Sequence, residues 1–223
     1  MTSTATKETS GMSANTQPGV VYQLRVVLRQ ISPLIWRRLL VAETSTITDL
    51  HYTLQIAFNW SDFHLHRFRI HGKDYSLWHP GGMSFRDDPN QVHLADFHFR
   101  HSERFRYEYD FGDLWQHDIR VEAQQPSDPH ATYPICLGGA RAAPPEDCGG
   151  PQRFLALRQH YSLPTIADRL LEILEGDADE RVDALEEVQQ FQYWLMVDRF
   201  DRRAVNRRLR QYALQDAAWQ WEP

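Results

Sequence analysis

The sequence is short of lysine, of cysteine and of long apolar runs, and each shortage excludes something. Only Lys7 and Lys73 are lysine among 24 basic residues, so nearly all the positive charge is guanidinium, which pairs in a planar, bidentate way with carboxylate or phosphate. Two cysteines, Cys136 and Cys148, cannot make a disulfide scaffold in a chain of 223 residues, which leaves a single bridge or a shared metal open. Nowhere do about 18 apolar residues run together, and the N-terminus has no apolar signal core, so neither a membrane span nor secretion is indicated and a cytoplasmic location is expected. The chain also has no P-loop, dinucleotide fingerprint, Gly-x-Ser-x-Gly elbow or His-Glu-x-x-His, which removes the commonest readable enzymes. What remains is 42% hydrophobic and 24% charged, an ordinary soluble composition with a net charge of -6. Against that plain background stand 11 histidines, nine of them between His51 and His117.

The periodicities indicate an α+β domain with an antiparallel sheet, an N-terminal β-hairpin, one helix packed on the sheet and a C-terminal helical segment. Residues 1–20 are too poor in large apolar side chains to offset the entropy of ordering and are expected to form a disordered tail. Tyr22, Leu24, Val26 and Leu28 alternate with polar residues, and Leu34 to Val41 follows after the Ser32-Pro33 turn, which together predict the hairpin. Thr46 and Asp49 form a capping-box pattern ahead of Leu50, Leu54, Ala57 and Phe58 at helical spacing. Phe63 to Ile70 alternates again, with His64, His66, Phe68 and Ile70 expected on one face; a short strand is expected near Tyr75, then a loop from Pro80 to about Asn90. Arg104 to Phe111 and His117 to Glu122 predict a second hairpin turning at Gly112-Asp113.

A single domain over residues 21–213 therefore divides into a sheet part at about 21–123, an irregular Pro- and Gly-rich loop at 124–151 and a helical part at 152–213, with 214–223 as a C-terminal tail. Helices are expected over Phe154–His160, Thr165–Leu174, Asp183–Phe200 and Arg202–Tyr212, the last with Asp201 as N-cap. Residues 172–187 are strongly acidic and residues 199–210 strongly basic, so the two stretches are expected to pair with each other.

Three stretches could carry chemistry. His64 and His66, two apart on a strand, could present both imidazoles to one metal ion or one anion, or could be aromatics that bond to the backbone. At the hairpin turn, Asp110, Asp113 and His117 offer ligands or an acid/base pair, with Tyr109 and Trp115 as binding surfaces; the same aspartates could instead cap the turn. Cys136 and Cys148 bracket a stiff loop holding Glu146 and Asp147, and with His64, His66 or His117 they could complete a tetrahedral site for zinc or another divalent metal.

The ordered blocks Ser32-Pro33-Leu34-Ile35-Trp36-Arg37-Arg38-Leu39, Asp49-Leu50-His51, Ala57-Phe58-Asn59-Trp60 and His64-Leu65-His66-Arg67-Phe68 resemble the plasmid pRiA4b ORF-3-like family. So do Tyr107 to His117, Pro134-Ile135-Cys136 with Gly138-Gly139, and Ala143-Pro144-Pro145-Glu146-Asp147-Cys148-Gly149-Gly150. The sequence departs from the family pattern at Pro151-Gln152-Arg153-Phe154. The resemblance implies an α+β domain from a family of largely uncharacterised proteins of plasmids, transposons and microbial genomes. No serine- or tyrosine-recombinase constellation is assembled in the sequence. The residues and the resemblance together suggest a non-enzymatic binding or accessory module of mobile elements, whose groove is formed by the His64–His66 strand, the Asp110–His117 hairpin and the Cys136–Cys148 loop. The alternative is a metal-dependent hydrolase that uses the same residues, with Asp110, Asp113 and Glu146 as catalytic candidates. A third reading is nucleic-acid binding through Arg199–Arg210; a protein or a nucleic acid would be the partner, and a membrane would not.

Overall fold

The structure, a computed structural model, describes residues 19–77 and 87–220. All but the last two residues of the expected N-terminal tail, and most of the Pro80–Asn90 loop, lie outside those residues, and Val20 already belongs to the first strand. Alternation translates directly into strands. The hairpin of β1 (Val20–Leu28) and β2 (Trp36–Ala42) pairs Tyr22 with Val41 and Arg25 with Arg38. Helix α1 (Ile47–Phe58) starts at the expected capping box, where the Thr46 hydroxyl accepts from Asp49 N–H and the Asp49 carboxylate accepts from Thr46 N–H. It ends at Asn59, whose left-handed backbone (φ 55°) stops the helix.

Five more strands follow: β3 (His66–Ile70), β4 (Lys73–Tyr75), β5 (Arg104–Tyr109), β6 (Trp115–Pro126) and β7 (Ile135–Ala140). All pairings are antiparallel, in the order β4-β3-β5-β6-β1-β2-β7. One face carries Leu24, Val26, Leu39, Phe68, Tyr107 and Ile119, all buried, and α1 lies over it. Each such side chain contributes roughly 1.5–3 kcal/mol of burial. The other face is an array of guanidinium and carboxylate groups, including Arg38 with Glu122, Arg67 with Glu108 and Arg69 with Asp74.

The helical part comprises α2 (Gly150–His160), α3 (Leu163–Glu175), α4 (Ala178–Asp183), α5 (Leu185–Met196) and α6 (Arg202–Ala213). Among the described residues, no helix is long and apolar enough to cross a membrane.

Several expectations are corrected. The 124–151 loop is not wholly irregular: β6 runs on to Pro126, and β7 pairs with the free edge of β2, matching Leu39 with Cys136. Gly138 and Gly139 hide its alternation, and the second is required because a Cβ there would lie 2.6 Å from the Phe200 ring. The strand expected from Phe63 starts only at His66, where pairing with β5 begins opposite Tyr109; residues 61–65, with Asp62 in a left-handed backbone (φ 61°), form the loop before it. The helix expected over Asp183–Phe200 is the shorter α5, and a separate α4, started by the capping box of Asp177 and Glu180, precedes it. Residues 217–220 of the expected tail form a 3-10 turn, with Trp219 packed edge-on to Tyr52 and Tyr212. Among the described residues the acidic stretch pairs with Arg169, through Glu172 and Glu187, and not with the basic helix.

Candidate functional site

Three loops meet at one end of the sheet: residues 61–65 ahead of β3, the β5–β6 turn at 110–114, and residues 143–149 ahead of α2. Polar side chains tie them together. The Glu146 carboxylate accepts from Ser61 N–H (3.0 Å), from the Ser61 hydroxyl (2.5 Å) and from the Tyr109 hydroxyl. Asp113 accepts from Gly149 N–H at 3.0 Å, and Asp110 N–H donates to the Leu65 carbonyl at 2.8 Å. Gly150 admits the turn closely, since a Cβ at that position would lie 2.6 Å from the Asp113 carbonyl oxygen. Left-handed backbone concentrates here, at Asp62, Asp110, Leu114 and Asp147, with φ between 55° and 61°. The aspartates tolerate that conformation; Leu114 holds it against a steric cost.

Two clusters of potential ligand groups occupy this region. The outer one brings His64, Asp110 and Asp147 together, with one donor atom from each lying within 4.8 Å of the others. Asp147 is 77% exposed at the rim, while Asp110 is buried, with its Oδ1 accepting from the N–H groups of Gly112 and Asp113. His64 stands between them, 3.7 Å from Asp110 and 3.3 Å from Asp147, and meets Tyr109 edge-on.

The inner cluster is His51, Asp62 and His66. The Asp62 N–H donates to Gln55 Oε1, which turns the Gln55 amide nitrogen toward the Tyr107 hydroxyl at 2.8 Å. The phenol proton then points to His51 Nδ1 (2.9 Å), and His51 Nε2–H donates to Asp62 (2.7 Å). His66 stacks on His51 with ring centroids 3.6 Å apart. Both His51 nitrogens are thereby committed within a largely buried network. Burial pushes the Tyr107 phenol well above its usual pKa and keeps it protonated.

The sequence-derived candidates thus separate. His64 and His66 belong to different clusters, because the strand begins between them, and the expected shared ligand is not assembled. His117 lies in the core between Phe58, Trp60 and Tyr107. Trp115 is fully buried, and Tyr109 lies beneath the site, stacked on Trp60. Cys136 sits in β7, where its N–H donates to Asn206, and Cys148 packs beside Tyr193 and Trp194; both thiols are free and belong to neither cluster. Burial raises the pKa of both, Cys148 to about 11, opposite to what a thiolate ligand needs. Sequence reasoning missed His51 as a site residue. Its signal was a polar pair, His51 and Gln55, on the inward face of α1, where apolar residues are expected.

A family model described as plasmid pRiA4b ORF-3-like protein matches residues 20–208. The chain belongs to that family. A relative, the uncharacterized protein y4hQ of Sinorhizobium fredii (strain NBRC 101917 / NGR234), is 33% identical over 135 residues, which cover 59% of this chain and 68% of that protein. The crystal structure of a protein of unknown function, MM3350 from Methanosarcina mazei Go1, is 30% identical with a TM-score of 0.59, covering 82% of this chain and 96% of that one. The matched span contains all three convergent loops, so both clusters fall inside the pRiA4b ORF-3-like domain.

Proposed function

We propose that this pRiA4b ORF-3-like protein is a binding module that recognises its partner through a divalent cation held by His64, Asp110 and Asp147. The convergence of one donor from each of three separate loops within 4.8 Å carries this reading. One imidazole nitrogen and two carboxylate oxygens suit zinc or manganese, and three protein ligands leave positions for water or for an anionic group of a partner. Asp110 is held rigid by the turn N–H groups, and the exposed Asp147 faces the partner's side. The groove proposed here is narrower than the one expected from sequence, using the His64 loop, the Asp110 turn and the Asp147 loop. An accessory role on mobile elements rests on the plasmid description of the family.

Binding is favoured over hydrolysis by how the neighbouring carboxylates are used. Glu146, expected as a general base, is committed to Ser61 and Tyr109, and Asp113 to Gly149. Both act as clamps between loops.

Calorimetric titration of metal-stripped, untagged protein with zinc and with manganese tests the proposal. One equivalent of one of these ions is expected to bind, and at a hundredfold excess over Kd to stabilise the fold by about 2.7 kcal/mol. Asp110→Asn and His64→Gln are each expected to weaken that binding at least tenfold, while His130→Gln, at an exposed position elsewhere, leaves it unchanged. Equal affinity in Asp110→Asn and the unsubstituted protein overturns the reading.

A further inference from the structure

Arg37 is 2% exposed, yet no ion pair among the described residues includes it. Its Nε donates to the Ala57 carbonyl at the end of α1 (2.7 Å), and its Nη1 to the carbonyls of Trp36 (2.8 Å) and Ala140 (3.0 Å). The guanidinium lies over the rings of Phe58 and Phe200, with centroids 4.9 and 4.1 Å from its Cζ. Of its five N–H groups, the two on Nη2 donate to no acceptor among the described residues. Burial lowers its pKa only to about 10, so the group remains a cation at neutral pH. A buried charge without a counter-charge is costly, and three carbonyls and two rings offset that cost only in part.

Arg37 lines a cavity of about 600 Å³, a volume suited to a small ligand. Arg199 lines it too, and among the described lining residues the one carboxylate, Asp201, is committed to capping α6 through the N–H groups of Arg203 and Ala204. The remaining wall is largely apolar, including Ile56, Met196 and Phe200. We propose that this cavity binds a small amphiphilic anion, whose carboxylate or phosphate docks on Arg37 Nη2 and whose apolar body lies along Phe200 and Met196. A guanidinium edge suits either head group, and in a site shielded from water the pairing is stronger than at the surface. The site shares no residue with the His64 cluster, so the two proposals stand or fall separately.

Titration of the full-length protein with octanoate and with octyl phosphate tests this, with octanol and inorganic phosphate as half-ligands. At least one of the two amphiphiles is expected to bind tenfold or more tighter than both half-ligands. Arg37→Gln is expected to reduce that affinity at least tenfold. Because Arg37 also holds three carbonyls, Ala204→Phe serves as a second variant: it fills the cavity from α6 and is expected to abolish binding with an unchanged circular dichroism spectrum. Octanol binding as tightly as both anions, or undiminished anion binding in a folded Ala204→Phe protein, overturns the proposal.

Discussion

The imidazole of His117 stands edge-on to Phe58 and Trp60, sealed from solvent in the core. Burial lowers its pKa from 6.5 to about 3, so in the folded protein it stays neutral through mildly acid conditions. In the unfolded chain the same ring takes up a proton near pH 6.5. Between those values the unfolded state binds more protons, so stability is full above about pH 6.5 and falls by about 1.4 kcal/mol per unit as pH drops toward 3. From pH 7 to pH 5 this residue alone is expected to cost about 2 kcal/mol. Urea unfolding at both values, for the unsubstituted protein and for His117→Leu, measures it: the variant should lose about 2 kcal/mol less across the interval, and identical losses refute the assignment. The abundance of histidine was visible in the sequence, but the role of each was not. His117 and His64 each share a strand-period face with apolar residues in the sequence, and only the packing above the sheet separates a core ring from a potential ligand.

At the scale of elements, β1, β5 and β6 were legible because each buries one face, and burial writes itself as alternation. The start of α1 was legible because its capping box is local. β7 was not, since an edge strand with Gly138 and Gly139 carries little side-chain pattern, and its partner β2 lies about a hundred residues away in sequence. Register also exposes something that no single strand shows. Arg38, Arg25, Arg120 and Arg104 are direct cross-strand neighbours over β2, β1, β6 and β5, a row of like charges across the open face. Glu122 pairs with Arg38, and no ion pair among the described residues reaches Arg25, Arg104 or Arg120. Directly opposed like charges destabilise a sheet, so Arg120→Glu, which sets a carboxylate between Arg25 and Arg104, is expected to stabilise the fold by about 0.5–1 kcal/mol. A lower urea midpoint in that variant would show that the row is neutralised by other means.

For the whole molecule, the site depends on chain closure over long separations, which is why the sequence named its segments but not its partnerships. Ser61, Tyr109 and Glu146 occupy three unrelated blocks, and nothing local tells that Glu146 bridges the other two. The motif pattern grouped His64 with His66 by proximity along the chain, whereas the fold groups His64 with Asp110 and Asp147, and His66 with His51 and Asp62. Glu146 sits where these long closures meet: its carboxylate holds the segment that positions Asp147 against the loop that carries His64 and against the buried Tyr109 ring. Removing it leaves the Tyr109 hydroxyl without its acceptor, so Glu146→Ala is expected to cost about 1–3 kcal/mol of stability. It also frees Asp147 to move relative to His64, so a cation bound by that cluster should be held at least tenfold more weakly even though Glu146 does not touch it. Hydrogen exchange separates the two effects, because loosening should be concentrated in residues 143–149 and 61–65 while β1 and β6 stay protected. Uniform loss of protection would make Glu146 a general stabiliser, whereas local loss with weakened cation binding makes it the residue that positions the site.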